Sequence, residues 1–221
     1  MSIRIGVGIP CYKGHIPALK YLLDSIQSQT RKPDSVVVSC SSSELTDIPP
    51  NYYEYSFPLE IITCPDRKNA AQNRNITISK LNTDVISFID ADDIMHPQRI
   101  EIIERCFLFP DINLLLHSFE MNPENDFEYY ELFPFDLNML FICQWRSIQH
   151  NHYPYQDGII HNSQMSVRKH VFDQVKFREE NEYFGKEDTL FNGDVIHTFP
   201  NSNAYSPLRL SKYVPSRSFT N

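Results

Sequence analysis

The stretch Val85-Ile86-Ser87-Phe88-Ile89-Asp90-Ala91-Asp92-Asp93 decides how this chain is organised. Its first five residues are mostly apolar and partly β-branched, which is typical of a buried strand. Three carboxylates follow within four positions, and Pro97 stops the strand from continuing. Ligands of open α/β sheets bind beyond the carboxyl ends of the strands, so this cluster is predicted to face a crevice. Clustered carboxylates repel one another unless a cation lies between them, and oxygen ligands favour Mg²⁺ or Mn²⁺ over zinc.

The composition of the 221-residue chain limits the classes of protein to consider. Hydrophobic residues make up 41% and charged residues 22%, which is ordinary for a globular protein. The net charge of −8 argues against a general nucleic-acid binder, because affinity for a phosphate backbone needs clustered Lys and Arg. We expect no nucleic-acid partner, although a metal and a few local cations can still hold a small anion.

The cysteines and the apolar runs predict a compartment. The five cysteines are widely spaced and form no C-x-x-C pair, which indicates neither a disulfide framework nor a zinc knuckle. No apolar run approaches the ~18 residues of a transmembrane helix. Residues 3–9 read as a strand rather than a signal peptide. We expect a soluble, cytoplasmic protein without an integral membrane segment.

Alternating strand and helix patterns fill residues 1–118. We predict strands at 3–9 (ended by Pro10), 35–40, 59–63, 85–89 and 112–117, and helices at about 19–29, 66–80 and 97–107. This alternation predicts parallel strands joined by crossovers in a doubly wound, nucleotide-binding half. Gly6 and Gly8 in the first strand indicate close approach of another backbone or a ligand.

Residues 119–221 are less regular but continue the same domain. We predict a helix at 137–145, a strand at 159–167, a short helix at 169–175 and a loop at 177–185. A last helix is predicted at 188–198, with Glu187 and Asp188 in its first turn, where the helix dipole favours carboxylates. No Gly/Ser linker divides the chain, so we predict one domain, 1–221, with halves 1–118 and 119–221.

The acidic cluster has two readings. As a metal site, it would neutralise a diphosphate, with Asp92 as direct ligand and Asp90 near a ribose or in the metal shell. Asp93 would cap the following helix. The alternative is a solvated turn.

Two further segments follow predicted strands. In Pro10-Cys11-Tyr12-Lys13, the Tyr12 ring is placed to stack on a base, the alternative being a surface Tyr in a turn. In the segment 66–75, small Ala residues between Asn and Arg would let a helix start approach an anion. Arg74 is expected to reach the acidic cluster, even if the segment is an ordinary solvated helix.

The late carboxylates and the histidines complete the set of candidates. Glu187 and Asp188 are either a source of a general base or a helix cap. His150, His152 and His161 form no zinc pattern, so His197 is the histidine we expect as an extra metal ligand.

With these residues in order, the chain resembles the GT-A-fold glycosyltransferases, most closely glycosyltransferase family 2. The matching pieces are Gly8-Ile9-Pro10-Cys11-Tyr12, Ala70-Ala71-Gln72-Asn73-Arg74-Asn75, Phe88-Ile89-Asp90-Ala91-Asp92-Asp93 with Pro97, and Glu187-Asp188. Their order and spacing span residues 3 to about 198. The resemblance extends to glycosyltransferase domains encoded by large DNA viruses of algae.

The resemblance implies an α/β fold of the GT-A (Rossmann-like) type, with a mostly parallel central sheet flanked by helices. Residues 1–118 would be the nucleotide-sugar donor half and 119–221 the acceptor half. It implies a UDP-sugar donor, Mn²⁺ or Mg²⁺ at Asp92 and Asp90, and catalysis by Asp188 beside Glu187. The donor would be bound by Pro10, Tyr12, Ser39, Asp66, Asn69, Arg74, Asp90, Ala91 and Asp92.

The chain also departs from the family. Ser39-Cys40-Ser41-Ser42-Ser43 stands where the family carries an acidic residue after strand two, so Asp66 is expected to contact the uracil instead. On the acceptor side, Trp145 and Tyr153 would offer stacking surfaces, and Gly158 loosely suits the family's glycine-containing acceptor loop.

The expected activity is transfer of a hexose or deoxyhexose, such as glucose or rhamnose, from a UDP-sugar to a glycan hydroxyl. Inversion with Asp188 as base is the expected course. The alternatives are a retaining glycosyltransferase with the same donor site and a non-catalytic nucleotide-sugar-binding module. A nucleotidyltransferase ranks below these, because the loop after strand one has only Lys13-Gly14 where such enzymes carry a Gly-rich phosphate loop.

Overall fold

The computed structural model describes residues 2–122, 124–132, 141–143 and 162–214. The strands are β1 (Ile5–Tyr12), β2 (Ser35–Ser41), β3 (Leu59–Cys64), β4 (Val85–Phe88), β5 (Ile94–Met95), β6 (Leu114–Glu120), β7 (Phe141–Cys143), β8 (Met165–Arg168) and β9 (Asn203–Lys212). The α-helices are α1 (Ile16–Gln27), α2 (Ala70–Lys80), α3 (Arg99–Phe107) and α4 (Glu187–Thr198). Short 3₁₀ helices cover Lys13–His15, Leu45–Asp47, Pro50–Tyr53, Asn162–Gln164, Lys169–Asp173 and Asn181–Tyr183.

The described strands form one sheet in the order β3-β2-β1-β4-β8-β6-β9-β5, and β7 also pairs with β9. Strands β3, β2, β1 and β4 are parallel, as the βαβ alternation predicts. Beyond β4 the sheet is mixed, because β8 is antiparallel to both β4 and β6, whereas β9 is parallel to β6. The four-stranded parallel block β3-β2-β1-β4 therefore comes from the first half of the chain.

Two apolar clusters cover the two faces of the sheet. Ile5, Val7 and Ile9 of β1 pack in one cluster with the buried faces of α1 and α3. Residues from β4, α2 and α4 form the other cluster, which contains Phe88 and Phe191. Continuous apolar runs such as Val36-Val37-Val38 are thus buried on both faces, the reason that they do not alternate with polar residues.

The two glycines of β1 allow helix α2 to lie close to the sheet. A Cβ atom on Gly8 would come within 2.7 Å of Thr77 Oγ1 and 3.2 Å of the Phe88 ring. A Cβ atom on Gly6 would come within 2.7 Å of Thr83 Oγ1. The sequence predicts close approach of another backbone or a ligand here; the nearest atoms are instead those of side chains of α2, of the residues after it and of β4.

Several predicted boundaries are corrected. Pro10 does not end β1, which continues to Tyr12; past Gly8 the strand pairs with β2 and no longer with β4, so a missing N–H is tolerated there. Helix α2 begins at Ala70 rather than residue 66, because Asn69 caps it by accepting a hydrogen bond from the Gln72 backbone N–H. Within the predicted short helix at 169–175, Lys169–Asp173 forms a 3₁₀ helix.

The sequence does not predict strand β9, although its ten residues pair with β5, β6 and β7. Its pairing with β6 shifts register between His117↔Ser206 and Ser118↔Arg209, which places Pro207 in an irregular part of the ladder. Proline inside a run weakens the strand pattern, and a bulge is where a sheet tolerates it. The local pattern therefore does not indicate a strand at 203–212.

The predicted helix at 137–145 is wrong where the structure describes it, since Phe141–Cys143 is a strand that pairs with β9. Its other residues, together with Trp145, Tyr153 and Gly158, lie outside the described residues. In the described part of the chain, every helix is too short or too polar to cross a lipid bilayer.

We expect Gly8→Ala to lower the free energy of unfolding by roughly 1–3 kcal/mol, because the added methyl group overlaps Thr77 and Phe88. Urea denaturation measures this. The matched control is Gly193→Ala in α4, where a Cβ atom meets nothing within 4 Å and the better helix former adds up to about 1 kcal/mol. Equal stabilities of the two variants would contradict the close packing of α2 on β1.

Candidate active site

The candidate site lies where the four parallel strands end. Strands β1, β2, β3 and β4 end at Tyr12, Ser41, Cys64 and Phe88, and parallel strands place these ends at one edge of the sheet. The loops that follow carry Tyr12 and His15, Asp66, and Asp90 to Asp93. Four of the predicted donor residues, Tyr12, Asp66, Asp90 and Asp92, therefore follow strands at one edge of the sheet.

Within the acidic cluster, Asp93 differs from its neighbours because it is buried. Its Oδ2 accepts a hydrogen bond from Ser163 Oγ and its Oδ1 accepts one from the Val214 backbone N–H at 3.1 Å. Burial, followed by the nearby charge of Asp90, raises the pKa of Asp93 well above its usual range. The predicted cap is wrong: Gln98 occupies the cap position of α3. Asp93 instead joins the acidic loop to the chain after β9.

Ser163 and Arg99 hold the backbone of the acidic loop. Ser163 Oγ accepts a hydrogen bond from the Asp90 backbone N–H at 2.9 Å. The fully buried guanidinium of Arg99 donates to the carbonyls of Ser163 and Phe88 and to Ser87 Oγ, at 2.8, 2.7 and 3.0 Å. Burial lowers the pKa of Arg99 to about 9, against the opposing effect of the Asp93 charge. These bonds fix the end of β4 and the start of the cluster.

Asp92 faces the loop that follows β1. Its Oδ2 lies 3.7 Å from His15 Nε2, and its side chain is partly exposed. The His15 ring in turn lies 4.2 Å from the ring of Tyr12, which is 45% exposed. A Cβ atom on Gly14 would come within 2.5 Å of the Tyr12 ring, so glycine is needed for this arrangement. An exposed aromatic face and a carboxylate are thus held side by side.

Arg74 joins the acidic cluster to α4. Its guanidinium lies 3.4 Å from Asp90 Oδ1 and 3.0 Å from Glu187 Oε1, and its side chain is almost fully buried. The contact with the cluster that the sequence predicted is therefore confirmed. Glu187 is engaged by Arg74 through one oxygen, and within the described residues its buried Oε2 has no hydrogen-bond partner. Glu187 is thus placed to orient Arg74.

Asp188, next in the chain, has a strongly perturbed carboxyl group. The pKa of Asp188 is raised to about 6, mainly by the partial burial of its carboxyl group; the charge of Arg74 opposes this rise, and the charges of Glu187 and Asp90 add to it. Its Oδ1 accepts a hydrogen bond from the Thr189 backbone N–H at 2.8 Å. A carboxylate of this pKa can accept a proton near neutral pH.

The carboxylates fit a divalent ion that is shared with a phosphate ligand. Asp92 and Asp90 keep partly exposed side chains, whereas Asp93 is occupied by Ser163 and Val214. Among the described residues, no group of three or more His, Cys, Asp or Glu side chains forms a metal site. Mg²⁺ and similar ions commonly take one or two protein carboxylates and complete their shell with substrate phosphates and water.

Four predicted donor residues are engaged elsewhere. Ser39 is buried and donates to Asn73 Oδ1 at 2.9 Å, and Ala91 lies in the apolar core. Pro10 is buried within β1. Asn69 caps α2 and donates to the Glu179 carbonyl at 2.7 Å. In the structure, the side chains of Ser39 and Asn69 thus hold the strand and helix ends around the candidate site, and their part in donor binding stays a prediction.

Asp66 and His197 have contrasting positions. Asp66 is exposed in the loop after β3, and its carbonyl accepts the Ser42 backbone N–H at 3.1 Å, which ties two loops of the candidate site together. His197 is exposed in the last turn of α4, about 15 Å along the helix from Glu187. The structure therefore does not bring His197 to the acidic cluster, and the prediction of a metal ligand there is wrong.

Sequence reasoning missed three contributors to the site. Asn73 Nδ2 donates to the Cys11 carbonyl and to Ser41 Oγ at 3.2 and 3.1 Å, which holds the ends of β1 and β2 together. His15 could be found from the sequence, because it follows Tyr12 by three residues in the same loop. Tyr213 had no local signal: burial raises its pKa, and the charges of Asp93, Asp92 and Asp90 add to this, so the end of β9 lies beside the cluster.

Known proteins resemble this chain in sequence and in fold. A sequence from Haemophilus influenzae described as "Uncharacterized glycosyltransferase" is 27% identical over 127 residues, which are 55% of this chain and 41% of that protein. S. aureus TarS (residues 1–349, with UDP) superposes with a TM-score of 0.70 at 15% identity, covering 97% of this chain and 61% of that one. Mannosyltransferase PcManGT from Pyrobaculum calidifontis, with GDP-Man and Mn²⁺, gives 0.69 at 16%, covering 98% and 59%.

These likenesses confirm the predicted GT-A fold, and the chain spans less than two thirds of the length of each of these relatives. The resemblance to viral enzymes stays a prediction. The sequence pattern of glycosyl transferase family 2 matches residues 6–176, more than half of the chain. The protein therefore belongs to glycosyl transferase family 2.

Proposed function

We propose that the protein transfers a sugar from a nucleotide-sugar donor to a hydroxyl group of a glycan, with a UDP-linked hexose or deoxyhexose as donor. The observation that carries this proposal is the position of Asp188. Arg74 joins the acidic cluster to the residue before Asp188, so a carboxyl group with a pKa of about 6 lies beside a site suited to a diphosphate. Family membership supports the same class of reaction.

The donor is bound along the carboxyl edge of β1 to β4. The exposed ring of Tyr12 offers a stacking surface to the base, and the exposed carboxylate of Asp66 is placed to accept the N–H group of a uracil. The diphosphate lies towards Asp92 and Asp90. Asp92, with Asp90 beside it, would hold Mn²⁺ or Mg²⁺, and the ion would supply positive charge to the diphosphate leaving group.

The acceptor is activated by Asp188. Its carboxylate takes the proton of the acceptor hydroxyl, whose oxygen forms a bond to the anomeric carbon of the donor sugar. The bond from this carbon to the diphosphate oxygen breaks, and the nucleoside diphosphate leaves with the bonding electron pair. Attack from the face opposite the leaving group inverts the configuration. Burial of Asp188 raises its pKa and so strengthens it as a base.

A thermal-shift panel of nucleotide sugars, with and without Mn²⁺, tests the donor assignment. A ligand stabilises the fold in proportion to the logarithm of its saturation, so the donor should give the largest metal-dependent rise in Tm.

Binding of UDP-sugars without hydrolysis or transfer to any acceptor would indicate a non-catalytic module. Release of pyrophosphate would indicate a nucleotidyltransferase.

Asp92→Asn should reduce metal-dependent turnover of the donor by at least about 100-fold, because the neutral amide is a much weaker ligand for a hard cation. The effect is measured as the rate of nucleoside diphosphate release at a series of Mn²⁺ concentrations. The control is Asp111→Asn, an exposed carboxylate in the loop after α3 that carries the same charge change. Full activity of the Asp92 variant at every metal concentration would reject the proposed ligand.

The pH dependence of kcat/KM should show an acid limb with a midpoint near 6, since Asp188 acts in its deprotonated form. Activity rises with pH through this value. The contribution of Asp188 to folding has the opposite sign: its pKa is raised in the folded state, so this contribution to stability decreases as pH rises from about 4 to 6. Initial rates from pH 4.5 to 8 measure the limb.

Two Arg74 variants examine the origin of that limb. Arg74→Met removes the charge that lowers the pKa of Asp188, so the limb should move to higher pH, whereas Arg74→Lys keeps the charge and should stay nearer to the wild type. A limb that has the same midpoint in the Met variant would show that a different group controls the rate.

A further inference from the structure

Phe184 is the most exposed large apolar side chain in the described part of the chain, at 72%. It lies four residues before Asp188, at the end of the segment 177–186 that leads into α4. Single exposed apolar residues are common on protein surfaces, so exposure alone assigns no role. Two further observations assign Phe184 a role: it lies close in sequence to the candidate base, and its segment is held on both sides by hydrogen bonds.

One side of the segment is bonded to α2 and its cap. Asn75 Nδ2 donates to the Phe177 carbonyl at 2.9 Å and to Glu179 Oε1 at 2.7 Å, and Asn69 Nδ2 donates to the Glu179 carbonyl at 2.7 Å. The Phe177 ring also stacks on Phe191 of α4 at 4.1 Å. The base of the segment is therefore fixed to the same helix that carries Arg74.

The other side of the segment is bonded to α4. Arg178 donates to both carboxylate oxygens of Asp194, at 3.0 and 2.7 Å, and its guanidinium lies 5.4 Å from the centre of the Tyr183 ring. Gly185 then turns the chain into α4 with a φ of +74°, a conformation that favours glycine. Phe184 thus projects from a braced turn, and holding it there costs little further conformational entropy on binding.

Phe184 borders a shallow crease that reaches the candidate catalytic residues. The crease is lined by Asn69, Ala70, Ala71, Arg178, Glu180, Tyr183, Phe184 and Glu187. Through Glu187 it connects to Arg74 and from there to Asp90. An aromatic surface beside groups that can bond hydroxyls suits a pyranose ring, which has an apolar C–H face and a polar rim.

We propose that Phe184 is the stacking surface for the acceptor sugar, with the C–H face of a pyranose ring lying on the Phe184 ring. Arg178 and Glu180, at the rim of the crease, bond its hydroxyl groups. The crease includes Glu187, which directly precedes Asp188 in the chain, so an acceptor bound there would lie near the proposed base. The inference rests on the proposed function and assigns the acceptor side of that site to a segment outside 119–158, the segment in which stacking residues were predicted.

Saturation-transfer NMR with methyl glycosides of glucose, galactose, mannose and N-acetylglucosamine tests the contact directly. Irradiation of the aromatic protons should transfer saturation to the axial ring protons of at least one glycoside. The signal should be lost in Phe184→Ala and kept in Phe184→Trp. The control is Leu108→Ala, a 60% exposed apolar side chain just after α3, which should behave as the wild type.

Kinetics with the glycoside that binds provide the second measurement. In Phe184→Ala the KM for this acceptor should rise roughly three- to ten-fold, a typical value for the loss of one stacking contact, with a much smaller change in kcat. Equal KM values in Phe184→Ala and the wild type, or saturation transfer that survives in Phe184→Ala, would overturn the inference. So would the lack of transfer to any of the glycosides.

The two proposals fail in different ways. If UDP and Mn²⁺ give no rise in Tm for the wild type, the proposed donor site fails. If they do, and Phe184→Ala binds the glycosides as the wild type does, the donor site stands and the assignment of Phe184 is overturned. Folding of each variant is checked by its Tm in the absence of ligand.

Discussion

Arg74 places one buried guanidinium between two carboxylates that are almost a hundred residues apart in the chain, Asp90 and Glu187. A charge removed from water is tolerated when such partners surround it, and loss of one partner of a buried pair typically costs about 3–5 kcal/mol. The position of α4, and with it Asp188, therefore depends on an interaction with the end of β4. The cation-ring contact of Arg74 with Phe177, at 5.4 Å, adds the segment before α4 to the same assembly.

A second buried network supports the acidic loop from beneath. Ser163 Oγ accepts a hydrogen bond from the Asp90 backbone N–H and donates one to the Asp93 carboxyl group. Arg99 donates a hydrogen bond to the Ser163 carbonyl. Asp93 also accepts the Val214 N–H, which ties the end of the described chain to the loop. The fixed backbone holds the start of the acidic cluster in place, while Arg74 lies beside Asp90 and His15 beside Asp92. Positioning of this kind is what a binding site for a diphosphate and its metal requires.

Most of the first half of the fold could be predicted from the sequence, because its signals are local. Apolar runs in β1, β2 and β4 indicate strands buried on both faces, and Asp90 to Asp93 mark the carboxyl edge. The errors arose where tertiary pairing outweighs local preference. Strand β9 contains Pro207 in a bulge opposite β6, Phe141–Cys143 pairs with β9 although its pattern resembled a helix, and Pro10 is accepted because β4 no longer pairs beside it.

The sequence by itself determined the family, the βαβ order of the donor half and the residue types that the chemistry needs. Only the tertiary structure decided their roles. Asp93 is buried and Asp92 is not, Glu187 pairs with Arg74 while Asp188 carries the raised pKa, and His197 lies at the far end of its helix. These assignments depend on burial and on contacts between residues distant in the chain, such as Arg74 with Glu187 and Asp93 with Val214. Residue order alone contains neither the depth of a side chain nor the charge that faces it.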